Sequence, residues 1–177
     1  MNRISRDEML MEMAETVAKR GTCSRLRVGC VVSRDGRVIS TGYNGAPAGI
    51  PHCDHSKEPP LRVVAGPKLT QDELESFVVE SRMLPGRIMQ IPEPHISIGC
   101  TVASHAEQNA IAYAAKHGLA LDQSELHVTH APCLSCARSI INAGIVKVTF
   151  ATPYRLTEGV DLLRQAKIVV IDPIDSV

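Results

Sequence analysis

The sequence predicts a single α/β domain over residues 1–177, a three-layer α/β/α sandwich around a five-stranded mixed sheet. Three observations carry that expectation. Strand-like and helix-like segments alternate from residue 105 to residue 171, which is the rhythm of parallel strands joined by helices that cover both faces of a sheet. Asp35-Gly36 lies between two runs of strand-forming residues and adds an antiparallel hairpin. A chain of 177 residues with 44% hydrophobic content can bury one good core and is short for two.

The elements follow in order. Ser5-Arg6-Asp7-Glu8 has the form of a capping box ahead of Met9, Met13 and Val17, so a helix opens the chain and runs to about Arg20. Residues 28–33 and 37–41 are the strands of the hairpin. After His105, the run Ala106, Glu107, Ala110, Ile111, Ala112, Ala114, Ala115 has high helix propensity and stops at Gly118. Residues 125–130 are a strand, and after Pro132 the apolar residues Ala137, Ile140, Ile141 and Ala143 recur at helical spacing up to Gly144. A strand over 146–151, a helix over 160–166 and a strand over 168–171 complete the alternation. Residues 56–99 break it. Pro59, Pro60, Pro67, Pro85, Pro92 and Pro94 interrupt any regular element there, apart from a short helix capped at Thr70-Gln71-Asp72-Glu73 and running to about residue 83. This segment reads as an insertion in the domain, of the length that loops usually reach for functional reasons.

Composition narrows the function classes. Lys plus Arg and Asp plus Glu are 19 each, and a net charge of zero favours a small substrate over a polynucleotide, whose phosphates call for a basic excess. No 18-residue apolar run and no signal-peptide pattern occurs, so a soluble, cytoplasmic protein without membrane contact is expected. Six cysteines in such a chain point to metal or packing rather than to disulfides. Aromatics are 3% of the chain with no Trp, which leaves Val, Ile, Leu, Ala and Met to build the core.

Two short stretches carry the chemistry, His105-Ala106-Glu107 and Pro132-Cys133-Leu134-Ser135-Cys136. Each sits where a helix begins, and Cys133 and Cys136 are spaced to lie on one face with their thiolates favoured by the helix start. One imidazole and two thiolates give zinc three ligands and leave its fourth tetrahedral position for an acidified water, the pattern of a catalytic rather than a closed structural site. Glu107, two residues from His105, is placed to accept a proton from that water, pass it to a bound base and protonate the departing amine. H-A-E alone would be a chance tripeptide in an alanine-rich helix. Joined to P-C-x-x-C it matches the signature of zinc-dependent nucleobase deaminases.

With Thr22-Cys23-Ser24-Arg25, Val28-Gly29, Gly42-Tyr43-Asn44-Gly45, His52-Cys53-Asp54 and His105-Ala106-Glu107-Gln108-Asn109-Ala110 added, the chain resembles the deoxycytidylate (dCMP) deaminases of bacteria and phages over 3–58 and 95–171. The resemblance implies the cytidine deaminase-like fold and hydrolysis of dCMP to dUMP and ammonia, which supplies thymidylate synthesis. It implies His105, Cys133 and Cys136 as ligands of a catalytic zinc and Glu107 as the proton shuttle. Asn44 would hold the nucleotide sugar, although beside Gly45 it also suits a turn. Ala106 and Tyr154 are implied substrate contacts, Tyr154 being equally suited to packing at a strand end. Ser24, Arg25 and Arg27 precede the first strand, where loops line the pocket, and arginine pairs well with phosphate; Arg25 is the first choice, and Arg27 serves equally as solvated surface charge.

The resemblance further implies a homohexamer activated by dCTP and inhibited by dTTP, with Tyr43, Asn44, Gly45 and Lys116 at the effector site. It also implies a second, structural zinc on Cys23, Cys53, His95 and Cys100, a closed tetrahedral set. His95 and Cys100 stand further apart than in the family's spacing, so His52 or His55 is an alternative fourth ligand. Cys30, in mid-strand, reads as a small core residue. Other readings are a deaminase of a modified deoxycytidylate or of another nucleobase, RNA adenosine included, or a zinc-stabilised nucleotide sensor without catalysis. Charge balance opposes the RNA substrate. A sensor would have no use for Glu107 beside an open ligand set.

Overall fold

A computed structural model describes residues 3–53, 100, 102–154 and 157–172. Met1–Ser56 with Cys100–Val177 forms one compact unit and Lys57–Gly99 another. The expected insertion with its short helix, and with it His55 and His95, lies outside the described residues.

In the described unit α1 is Arg6–Ala18, β1 Gly29–Arg34, β2 Arg37–Tyr43, α2 Ala106–Lys116, β3 Glu125–His130, α3 Leu134–Asn142, β4 Lys147–Thr152, α4 Glu158–Gln165 and β5 Val169–Ile171. Among the described residues each expected element is present, with ends moved by a few residues. The capping box forms at α1: the Ser5 hydroxyl accepts from the Glu8 amide at 3.1 Å while the Ser5 amide donates to Glu8 Oε2 at 2.6 Å. Asp35 and Gly36 both take positive φ, 53° and 74°, as a two-residue hairpin turn requires. β2 extends to Tyr43 because that residue still pairs with Gly29.

The five strands lie in the order β2-β1-β3-β4-β5. β1 is antiparallel to both β2 and β3, whereas β3, β4 and β5 are parallel, so the sheet is mixed. Cys30, Val32, Leu126, Val128, Val148 and Phe150 join Ala110 and Ala114 of α2, Ala137 and Ile140 of α3, and Val160 and Leu163 of α4 in the main core. A smaller cluster forms where Val31 meets Leu10 and Ala14 of α1. The helices of the alternating half were expected on both faces, but α3 and α4 share one face with α2. The strands β3, β4 and β5 step in one direction, and crossovers of one hand therefore land on one side. The third layer is α1 alone.

Close approach of α2 to the sheet sets the position of the site. A Cβ on Gly42 would lie 2.1 Å from the Ala106 carbonyl oxygen, so only glycine lets the start of α2 seat on the end of β2.

Candidate active site

His105 is the N-cap of α2 and Cys133 the N-cap of α3, both in extended conformation, and Cys136 lies one turn into α3. The sheet brings these two helix starts together. The Cys133 Sγ is 3.4 Å and the Cys136 Sγ 3.3 Å from His105 Nδ1. Around a tetrahedral zinc with Zn–S about 2.3 Å and Zn–N about 2.0 Å, that sulfur–nitrogen edge would be about 3.5 Å. The three side chains therefore fit the ion.

Electrostatics agree with the geometry. Hydrogen bonds from Cys136 and His105 bring the Cys133 thiol down to about 3 against its burial, while Cys136 is pushed up by the Cys133 sulfur and by burial. His105 is raised by its bond to Cys133. The cluster thus holds a thiolate and attracts positive charge. Glu107, only 4% exposed, is pushed up to about 7 by burial, partly offset by its own backbone amide and by His105. Its side chain also bonds to Cys136. A carboxyl group buried beside the ligands but outside the His105–Cys133–Cys136 group is placed to carry protons.

Two side chains that the sequence reading passed over hold this arrangement. Gln108 Oε1 accepts from the His105 amide at 3.2 Å, and Gln108 Nε2 donates to Ser135 Oγ at 3.3 Å, linking the two ligand-bearing helix starts. The signal for the first bond was present, since Gln108 stands three residues after the N-cap. The second bond depends on α2 meeting α3.

The other expected residues divide. Cys23, Cys53 and Cys100 converge with sulfurs within 4.8 Å of one another, and His52, which is exposed, is not part of that group. Burial and the neighbouring Cys100 and Cys23 push Cys53 up to about 11. Cys30 is fully buried in the core. Ser24, Arg25 and Arg27 are exposed on the segment between α1 and β1. Asn44 is 8% exposed, and each end of its amide has a partner within the chain: Oδ1 accepts from the Val28 amide at 2.8 Å and Nδ2 donates to the Leu26 carbonyl at 2.7 Å. Ala106 is fully buried, and Tyr154, beyond β4, packs partly against the main core. Tyr43, Asn44 and Gly45 are contiguous, and Gly45 pairs with Ser104 at the start of α2. Lys116 is at the other end of this 11-residue helix, about 16 Å away along its axis. The structure thus separates it from Gly45, while the Tyr43 carbonyl accepts from Asn109 Nδ2 at 2.7 Å, nearer the middle of the helix.

A third group among the described residues, Asp7, Glu125 and His127, also has metal-binding side chains. Lys147 Nζ lies 2.9 Å from Asp7 and 3.5 Å from Glu125, so an ammonium already supplies the cation there.

Three side chains that fit a zinc ion and a buried carboxyl group beside them, presented by a mixed sheet at two helix starts, make the class a metal-binding α/β protein. Comparison with known proteins resolves the class further. Residues 4–152 match the family described as the cytidine and deoxycytidylate deaminase zinc-binding region, and the chain belongs to that family. It is 35% identical over 171 residues to ComE operon protein 2 of Bacillus subtilis (strain 168), covering 96% of this chain and 72% of that one. With deoxycytidylate deaminase of Enterobacteria phage T4 the identity is 32% over 173 residues, covering 92% and 87%. The crystal structure of dCMP deaminase from the cyanophage S-TIM5 in complex with dCMP and dUMP superposes with a TM-score of 0.66 at 27% identity, over 96% of this chain and 98% of that one.

Proposed function

We propose that this protein hydrolyses the 4-amino group of dCMP, converting dCMP and water to dUMP and ammonia and so supplying thymidylate synthesis. The observation that carries the reading is the buried Glu107 beside the His105–Cys133–Cys136 group, in a chain whose solved relative binds dCMP and dUMP. His105, Cys133 and Cys136 would hold the zinc, which when bound supplies the Lewis acidity that makes a water nucleophilic near neutral pH. Glu107 would take one proton from the water that adds to C4 and give it to N3 of the ring, then take the proton of the new C4 hydroxyl and deliver it to the amine as the C4–N bond breaks, leaving the C4 carbonyl and ammonia. Burial keeps bulk water from that exchange. Arg25, with Ser24 and Arg27, would meet the 5′-phosphate, and Ala106 and Tyr154 would contact the substrate.

The remaining assignments belong to the same reading. Cys23, Cys53 and Cys100 would be three ligands of a second, structural zinc. Residues 1–177 make one deaminase domain with an insertion over 56–99. The protein is a cytoplasmic homohexamer regulated by dCTP and dTTP. Ammonia release from a panel of cytosine and adenine nucleosides, nucleotides and oligonucleotides, with and without these triphosphates, tests the substrate and the regulation together. dCMP should be the preferred substrate, and a preference for an adenine or an oligonucleotide substrate would overturn the assignment.

A further inference from the structure

Asn44 has more to do in this fold than a turn residue needs to do. Its side chain spans from the Val28 amide to the Leu26 carbonyl, and its backbone makes two further bonds to the same segment, accepting from the Thr22 amide at 3.0 Å and donating to the Val28 carbonyl at 3.1 Å. Four hydrogen bonds thus run from one residue to both ends of the 22–28 segment, at a site nearly closed to water, where losing a partner is costly. Between those ends stand the exposed side chains of Ser24, Arg25 and Arg27. The next residue turns the other way. Gly45 donates to the Ser104 carbonyl at 3.1 Å and accepts from the Ser104 amide at 2.9 Å, directly before the metal ligand His105. A Cβ on Gly45 would lie 2.4 Å from Thr22 Oγ1, so the start of the 22–28 segment and the junction after β2 are packed without spare room.

We infer that Asn44 is a positioning residue for substrate specificity: by clamping the 22–28 segment while Gly45 holds Ser104, the Asn44-Gly45 pair fixes the distance between the phosphate-binding arginines and the metal ligands. Selection for a nucleotide over a nucleoside then depends on a residue whose amide is committed to the protein backbone. The inference rests on the proposed dCMP reading, because it takes the 22–28 segment to be where the phosphate binds.

The test uses zinc-loaded full-length protein as wild type, Asn44→Ala and Asn44→Asp. The aspartate keeps an acceptor for the Val28 amide and loses the donor to Leu26, so it keeps part of the clamp if the alanine variant fails to fold. Amide hydrogen exchange over 22–28 should quicken in both variants. KM for dCMP should rise by about ten-fold or more, the scale of one weakened phosphate contact, with kcat within a few-fold of wild type and zinc content unchanged. Unchanged exchange over 22–28 with a fall in kcat would overturn the inference and place Asn44 against the substrate itself. Faster exchange with an unchanged KM would overturn it too. Should wild type fail to turn over dCMP, the functional reading falls, and the exchange measurement still decides whether Asn44 holds the loop.

Discussion

At the scale of single residues, Glu107 is the sharpest commitment. It is buried in the first turn of α2, bonds to Cys136 and lies outside the His105–Cys133–Cys136 group, which is the placement that the proposed proton transfer needs. Glu107→Gln preserves shape and removes the proton acceptor. General acid–base groups contribute roughly 10²–10⁴-fold, and one that serves several transfers should cost at least that much in kcat, with zinc still bound. Turnover near wild type at full zinc occupancy would remove Glu107 from the mechanism. The grouping of His105, Cys133 and Cys136 with this carboxylate was legible in the sequence because each is carried by a short local pattern at a helix start. The commitment of the Asn44 amide to Leu26 and Val28 was not, because those partners are 18 and 16 residues away and meet Asn44 only when β1 and β2 pair.

At the scale of elements, α1 is tied to the sheet by charge as well as by Leu10 and Ala14. Asp7 in its first turn pairs with the buried His127 of β3 at 3.1 Å and with Lys147 of β4 at 2.9 Å. Burial tends to raise Asp7, but Lys147 and His127 outweigh it and hold the carboxyl below its usual range. Burial pushes His127 down despite Asp7. Both groups therefore bind more protons in the unfolded chain, and both lower stability as the pH falls. The His127 part begins below its ordinary value of 6.5, the Asp7 part below 3.8. Lys147, raised by Asp7 and Glu125 against its own burial, acts at the alkaline end: its contribution is full below 10.5 and fades as the pH rises through its folded value. The stability that His127 contributes should thus fall on acidification from about pH 6.5, while Glu107 and His105, both raised, act with the opposite sign in the protein as a whole. His130, also lowered by burial, adds to the same loss, so the difference between wild type and His127→Gln isolates the buried group. Identical acid profiles for the two proteins would show that His127 titrates alike folded and unfolded.

For the whole molecule, the sulfurs of Cys23, Cys53 and Cys100 unite the segment after α1, the segment after β2 and a residue just ahead of α2. If they hold a structural zinc, purified wild type should contain two zinc ions per chain, and Cys133→Ala should retain one with the fold intact and activity lost. Cys53→Ala should lower the melting temperature, since binding of a structural metal is coupled to folding. One zinc per chain, unchanged by Cys53→Ala, would leave those thiols without a metal. Most of the architecture was determined by sequence alone: the capping box at Ser5, the Asp35-Gly36 turn, the alternation after residue 105 and the two ligand motifs are local patterns, and local patterns depend only on neighbours along the chain. Tertiary structure decided which face α3 and α4 cover, the Gln108–Ser135 link, the separation of Lys116 from Gly45, and the bond between Asp7 and His127, 120 residues apart. Each of these depends on how strands are ordered and how helices approach across the sheet, and that information is distributed over the whole core rather than written at either partner.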